Sequence, residues 1–426
     1  MNKLTNENEH VYLSILKEEL VPAMGCTEPI AIAYCAAKAK DVLEQMPDRV
    51  CVEVSGNIIK NVKSVIVPNT NGLKGIAASA VAGIVGGRSE KVLEVIADVT
   101  AEEKTKMKEF LESVPVEVKP LDSEEQLDII VTLFYKDEYA SVRISGFHTN
   151  IVQVKKDDHV LYESGVVAAT DVQLTDRSLL NVKEIYDFAE SVDLSSVKEL
   201  LDRQIAYNWA IAEEGLTNPY GANIGKVLLN TEPESIKNKA KAYAAAGSDA
   251  RMNGCEMPVI INSGSGNQGM TASLPVIVYA KEMNIPQERL YRALVLSNLI
   301  TIHQKTGIGR LSAYCGAISA GCGAGCGIAY LLGGDFKVIA HTLVNALAIV
   351  SGIVCDGAKA SCAGKIAAAV DAGIFGYQMY KQGQQFYGGD GIISKGVENT
   401  IHNVGRLGKV GMKETDKEII RIMTDC

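Results

Sequence analysis

Two hydrophobic rhythms run along the chain, and the switch between them sets out its organisation. Over 9–20 the apolar residues Val11, Ile15, Leu16 and Leu20 share one helical face. Past Pro22, the run PAMGCTEPIAIAYCAAKAKDVLEQ predicts a second helix to about 45, with Pro29 in its first turn and Thr27 or Glu28 as its cap. From 49 the pattern turns to β-branched residues, several runs alternating. CVEVSG, VKSVIVP, PVEVKP, LDIIVTLFY, YASVRISGF, NIVQVKK and VLYES predict strands, separated by helices over 73–85, 90–97 and 101–113. The stretch 168–181 is polar and reads as a linker. Beyond it the periodic runs are helical, over 182–191, 195–214, 233–246, 270–283 and 288–306, followed by a Gly/Ala-rich, cysteine-bearing region.

This pattern predicts an α+β protein that is mainly α-helical, with a smaller inserted α+β domain. At 426 residues the chain exceeds one ordinary core. The expected division is 1–48, N-terminal helices packing with the main domain; 49–167, the α+β domain; and 168–426, all helical and carrying most cysteines.

A net charge of −9 with no basic stripe argues against a nucleic-acid partner. Two uncharged stretches, 311–334 and 338–355, reach spanning length. The first is dominated by Gly and Ala and the second holds His341 and Asn345, so both predict buried helices and no membrane association. MNKLTNENEHVYLS has no basic start leading into an apolar run, which predicts no signal peptide and a cytoplasmic location. There the ten cysteines are expected as free thiols, metal ligands or catalytic groups.

Five of those cysteines, at 315, 322, 326, 355 and 362, crowd into one weakly charged region. They form no CxxC pair, so zinc-ribbon and ferredoxin spacings do not apply, and packing and metal binding both stay open. Cys26 stands just before a predicted helix N-terminus, where partial positive charge favours a thiolate. The loop from Asn262 to Gly269 precedes a helix, and its amides suit an anion, either carboxylate or phosphate, with Asn267 or Gln268 as extra donors; an ordinary turn fits equally. His303, Lys305 and Arg310 suit a carboxylate or a solvated helix face, and His148 in SGFHTN marks a strand end.

PAMGCTEPIAIA, SGNIIKNVKSVIVPNTNGLKG, NSGSGNQGMTASLPV and IHQKTGIGRLSAYCGAISAGCGAGCGIAYLLGG, with the pair Cys355 and Cys362, together resemble the L-cysteine desulfidase family, related to the iron-sulfur L-serine dehydratase alpha chain. The resemblance spans nearly the whole chain in one order. It implies a 4Fe-4S cluster held by Cys315, Cys355 and Cys362, leaving one iron free to act as a Lewis acid. Cys322 and Cys326 are then left as packing residues, alongside Cys35, Cys51 and Cys255 in the core. The resemblance also implies Cys26 as the base, and places Asn57, Lys60, Asn61 and Asn69 near the cleft.

The expected substrate-binding set is Ser263, Gly264, Ser265, Gly266, Asn267, Asn57 and Lys305. The expected activity is β-elimination of L-cysteine to pyruvate, ammonia and sulfide, with L-serine as the nearest other substrate. Two alternatives stay open: a pyridoxal-phosphate eliminase with Lys305 as Schiff-base lysine, and a non-catalytic iron-sulfur or cysteine sensor. A homodimer is left open. From position alone, Cys426 is expected to cap the free iron.

Overall fold

The computed structural model describes residues 6–164 and 175–424. Cys426 and the first part of the expected linker lie outside these residues. The chain opens with helix α1 (Asn6–Glu19), strand β1 (Pro22–Met24) and α2 (Thr27–Leu43). Next come β2 (Arg49–Val54), α3 (Gly56–Val62), α4 (Gly75–Gly86), a 3₁₀ turn at Ser89–Glu94 in place of the expected helix, and α5 (Ala101–Ser113). Strands β3 (Val116–Pro120), β4 (Asp128–Tyr135), β5 (Glu138–Ser145), β6 (Ile151–Lys156) and β7 (His159–Glu163) complete a six-stranded sheet in the order β3-β2-β4-β5-β6-β7. Within it β2 and β3 run parallel and the other neighbours antiparallel. The alternation seen in the sequence buries Ile129, Val131 and Leu133 of β4 and Ala140, Val142 and Ile144 of β5, and α2 covers these strands. Cys35 of α2 donates to the Val142 carbonyl at 3.2 Å.

VKSVIVP is not a strand. Asn69 and Asn71 adopt positive φ, and Val67 bonds back to Leu73, so the segment closes on itself with a single bridge between Ile66 and Lys74.

The remainder is helical: α6 (Val182–Ser191), α7 (Ser195–Thr217), α8 (Ile224–Thr231) and α9 (Ile236–Met252), then β8 (Pro258–Ile260), α10 (Gly266–Glu282), α11 (Gln287–Ile308), α12 (Gly316–Leu331), α13 (Phe336–Val350), α14 (Cys362–Lys381), α15 (Val397–Arg406), a π turn at Leu407–Gly411 and α16 (Lys413–Thr424). Mainly helical α+β is therefore the fold class. Helix α12 is buried from Ala317 to Leu331 and contacts α11, α13 and α14. The two uncharged stretches hold α12 and α13, and no helix among the described residues is long and apolar enough to cross a membrane. Gly321 and Gly373 let α12 and α14 touch backbone to backbone, because a Cβ on either would meet the other helix's main chain.

Two short pairings position the chemistry. β1 runs antiparallel to β8, with Pro22 opposite Ile260 and Met24 opposite Pro258, so the start of α2 lies beside the loop that opens α10. A bridge between Tyr314 and Val354 joins the start of α12 to the loop before α14. Neither is visible to periodicity, since so short a pairing has no period to read.

Candidate functional site

Through those pairings the separated cysteines reach one place. Cys315 sits at the N-terminal boundary of α12 and donates its amide to the Ile353 carbonyl at 3.2 Å, while Cys355 donates to the Ala313 carbonyl at 2.6 Å. Cys362 is the first residue of α14. Cys26 occupies the N-terminal boundary of α2 and shares a small apolar cluster with Val65, Met252, Ala358 and Cys362. All four cysteines line one pocket of about 100 Å³. Its wall also includes Glu28, Asn61, His148, Arg251, Lys305 and Tyr314.

Thiols sharing this pocket influence one another's acidity. Burial first, then the neighbouring Cys355 and Cys362, push Cys315 up to about 12. Burial and Cys355 likewise raise Cys362. Burial pulls Lys305 down to about 8, opposed by Cys355 and Cys315.

At Cys26 other influences oppose the helix N-terminus. Burial and the Glu28 carboxylate raise it well above an ordinary thiol, and the opposing pull of Arg251 is smaller. Its sulfur lies 3.0 Å from Glu28 Oε2. Burial would raise Glu28 as well, but the attraction of His148, which stands beyond hydrogen-bond distance, and the Cys26 contact bring it to about 2. Asn61 Nδ2 donates to Glu28 Oε1 at 3.2 Å, and His148 Nε2 is 3.9 Å from the same oxygen.

Within the Gly/Ser loop, Ser263, Gly264, Ser265, Asn267 and Gln268 line the pocket, and Gly266 packs against Arg251 and Val259 behind it. The helix starts four residues earlier than periodicity indicates, so Gly266 to Gly269 form its first turn. Gly264 and Ser263 adopt positive φ, and the Gly264 carbonyl accepts from Thr27 Oγ1 at 2.9 Å, which locks the loop to α2.

Asn57 is buried on α3 but is not part of the pocket lining; Asn61, one turn on, is. Lys60 pairs with Asp416 of α16, and Asn69 donates to the Ile96 carbonyl at 2.8 Å. His303 is paired with Glu398 of α15 at 2.7 Å, away from the pocket. Cys322 and Cys326 are fully buried in α12, and Cys35, Cys51 and Cys255 are also buried.

Sequence reasoning missed Glu28, treated only as a helix cap, and Arg251, which lies on α9 beyond its expected end. An arginine closing an alanine-rich helix, shortly before a Gly/Ser loop, was the available signal for the second.

A larger cavity of about 830 Å³ adjoins this pocket and shares Ser263, Lys305, Arg310, Leu311 and Ser312 with it. Arg310 stands between the two spaces, held by Glu19 at 3.2 Å and stacked over Phe147 at 4.6 Å.

Comparison with known sequences sets this geometry in a family. Residues 90–421 match the pattern of the serine dehydratase alpha chain. The chain belongs to the serine dehydratase alpha chain family. Among relatives, a UPF0597 protein of Desulfitobacterium hafniense is 66% identical over 97% of this chain and 96% of its own length. UPF0597 proteins of Lachnoclostridium phytofermentans, 52% identical over 96% and 98%, and Treponema denticola, 46% identical over 99% of both, are also similar.

For a member of the serine dehydratase alpha chain family, an iron-sulfur cluster is the cofactor to test against these residues. Three thiols stand on separate segments, with Cys355 close enough to raise the proton affinity of both Cys315 and Cys362, and together they form a soft donor set with the right chemistry. Among the described residues, no three His, Cys, Asp or Glu side chains meet in a single-ion arrangement. A multi-iron cluster is instead held by thiolates spread round a cage, which three cysteines lining a shared wall satisfy. The residues fit the group.

Proposed function

We propose that this serine dehydratase-like protein is a lyase that removes the β-substituent of L-cysteine, giving pyruvate, ammonia and sulfide. One observation carries the reading: Cys315, Cys355 and Cys362 share a wall of the pocket that Cys26 and Glu28 also line. Cys315, Cys355 and Cys362 would hold a 4Fe-4S cluster, which when bound supplies a Lewis-acidic iron.

The chain's own part is proton handling and placement. Cys26 lines the pocket and touches Glu28, so the proton leaving Cα goes to Sγ while the thiol's own proton passes to Glu28 Oε2. A substrate filling the pocket displaces water, and desolvation raises the proton affinity of Glu28 from its low resting value. Loss of the Cα proton and of hydrosulfide from Cβ leaves aminoacrylate, which tautomerises and is hydrolysed by water to pyruvate and ammonia. The Ser263–Gln268 loop and Lys305 hold the substrate.

The family's name favours a second substrate, L-serine, with hydroxide leaving in place of hydrosulfide. The reading sets the protein in a reducing cytoplasm, where its thiols persist for cluster assembly.

Anaerobic reconstitution with iron and sulfide, followed by pyruvate and sulfide assays on L-cysteine and L-serine, tests it. Pyruvate with matching sulfide from L-cysteine is expected. Product from L-serine alone would replace the desulfidase reading with the dehydratase one, and a loaded protein yielding no pyruvate from either would end both.

A further inference from the structure

Arg251 is 2% exposed, in the last turn of α9. Burying a guanidinium is costly unless an anion pairs with it. Its Nη1 donates to Asn267 Oδ1 at 3.1 Å, yet Nε has no partner, and no carboxylate pairs with it among the described residues. The first turn of α10 is shaped around it, because a Cβ on Gly266 would collide with the guanidinium. Gln268, 6% exposed, presents a second orphan, Oε1, and His148 Nε2 is a third. All three side chains line the one small pocket. Buried polar groups are rarely left unpaired in folded proteins, and here a guanidinium without a carboxylate and an amide carbonyl without a donor belong to side chains that line the same space.

We infer that Arg251 and Gln268 recognise the two ends of a free α-amino acid, the guanidinium taking its carboxylate and the Gln268 carbonyl its ammonium. The inference rests on the proposed lyase reading for the site's purpose and adds the residues that select the substrate class. A phosphate would satisfy Arg251 but brings only a P–OH donor to Gln268, on a group that is already anionic, where an amino acid brings a cationic ammonium, so the pair favours the amino acid over the other anion that the Gly/Ser loop alone admits. Cys26 lines the same small pocket, so a carboxylate held at Arg251 keeps Cα within reach of that sulfur. An amine without a carboxylate, or a carboxylic acid without an amine, leaves one orphan unpaired and binds more weakly.

Calorimetric titration of the anaerobically prepared chain, with and without reconstitution, tests this using L-alanine, which carries no leaving group, beside propionate, ethylamine and inorganic phosphate. L-Alanine is expected to bind most tightly. Arg251→Gln is expected to weaken it on the order of 10- to 100-fold while leaving ethylamine unchanged, with Arg251→Lys in between. Since Arg251→Gln removes an unpaired buried charge, its melting temperature without ligand should not fall, but the rise produced by L-alanine should vanish. A purely structural arginine would show the opposite pattern.

Equal L-alanine affinity in wild type and Arg251→Gln, no L-alanine binding by the wild type, or phosphate binding more tightly than L-alanine would each overturn the inference. L-Alanine bound through Arg251 without pyruvate from either amino acid would uphold it and remove the lyase reading. Unchanged KM for L-cysteine in Arg251→Gln would do the reverse.

Discussion

The sulfur of Cys26 lies 3.0 Å from Oε2 of Glu28, two residues along the chain at the start of the same helix. The contact opposes the usual influence of a helix N-terminus. The dipole there favours a thiolate, but the loss of water and a buried carboxylate at hydrogen-bond distance act the other way and raise the proton affinity of the thiol.

Glu28→Gln should therefore separate acidity from activity. Removing the negative charge lowers the proton affinity of Cys26, so its labelling by iodoacetamide, followed on the Cys26 peptide by mass spectrometry, should reach a given rate at lower pH. Removing the acceptor should cut pyruvate formation about 100-fold. Faster turnover alongside faster labelling would mean that Glu28 restrains Cys26 rather than receiving its proton.

Asp249 on α9 predicts a pH dependence of stability. Its Oδ2 accepts the Gly225 amide at 2.9 Å, and burial raises it from 3.8 to about 6. Between those values the native chain holds a proton that the unfolded chain releases, so this group's contribution to stability falls as pH rises through that window and levels off above it. Asp249→Asn keeps an acceptor and cannot ionise. Urea unfolding should show it to be about 2 kcal/mol more stable than wild type at pH 7, with the difference shrinking towards pH 4.

How much of this was written in the sequence depends on what signal each feature leaves. Strands β2 to β7 and helices such as α5 and α6 were legible because their alternation or helical period runs for five residues or more. The helix expected over 90–97 shrank to one 3₁₀ turn, and α3 and α8, too brief for a clear period, went unseen. The resemblance to the desulfidase family, and not the cysteine spacing, singled out residues that share a pocket, yet the reason they share it is the Tyr314–Val354 bridge and the α12–α14 contact, neither of which has a linear signature. Arg251 and Glu28 acquire meaning only from what surrounds them, a buried cation lacking an anion and a carboxylate touching a thiol. Asn57 and Asn61 were indistinguishable in sequence, and one helical turn along the axis of α3 decides which reaches the pocket.

Gly373→Ala tests whether packing distant from the thiols sets their spacing. The added methyl would meet the Gly321 backbone, forcing α14 away from α12 at a cost of about 1–3 kcal/mol. Because α14 begins at Cys362 and α12 follows Cys315, the same shift should reduce iron retained after reconstitution. A variant with a lowered melting temperature and full iron content would show that the loops absorb the displacement.

Cys315 and Cys322 offer the sharpest comparison between a ligand and a core residue. Seven residues apart, they are nearly equivalent in sequence, but Cys315 stands at the helix boundary on the pocket wall, whereas Cys322 is fully buried within α12 and absent from that wall. Serine is close in size to cysteine and a poor ligand for iron in a thiolate cluster. Cys315→Ser, like Cys355→Ser and Cys362→Ser, should lower iron and acid-labile sulfide per chain after anaerobic reconstitution and bleach the visible absorbance, with little change in the unfolding of the metal-free protein. Cys322→Ser should show the converse: full iron, but a lower melting temperature, because it places a hydroxyl in an apolar site. If Cys322→Ser lost iron as completely as Cys315→Ser, the division of these cysteines into ligands and packing would be wrong.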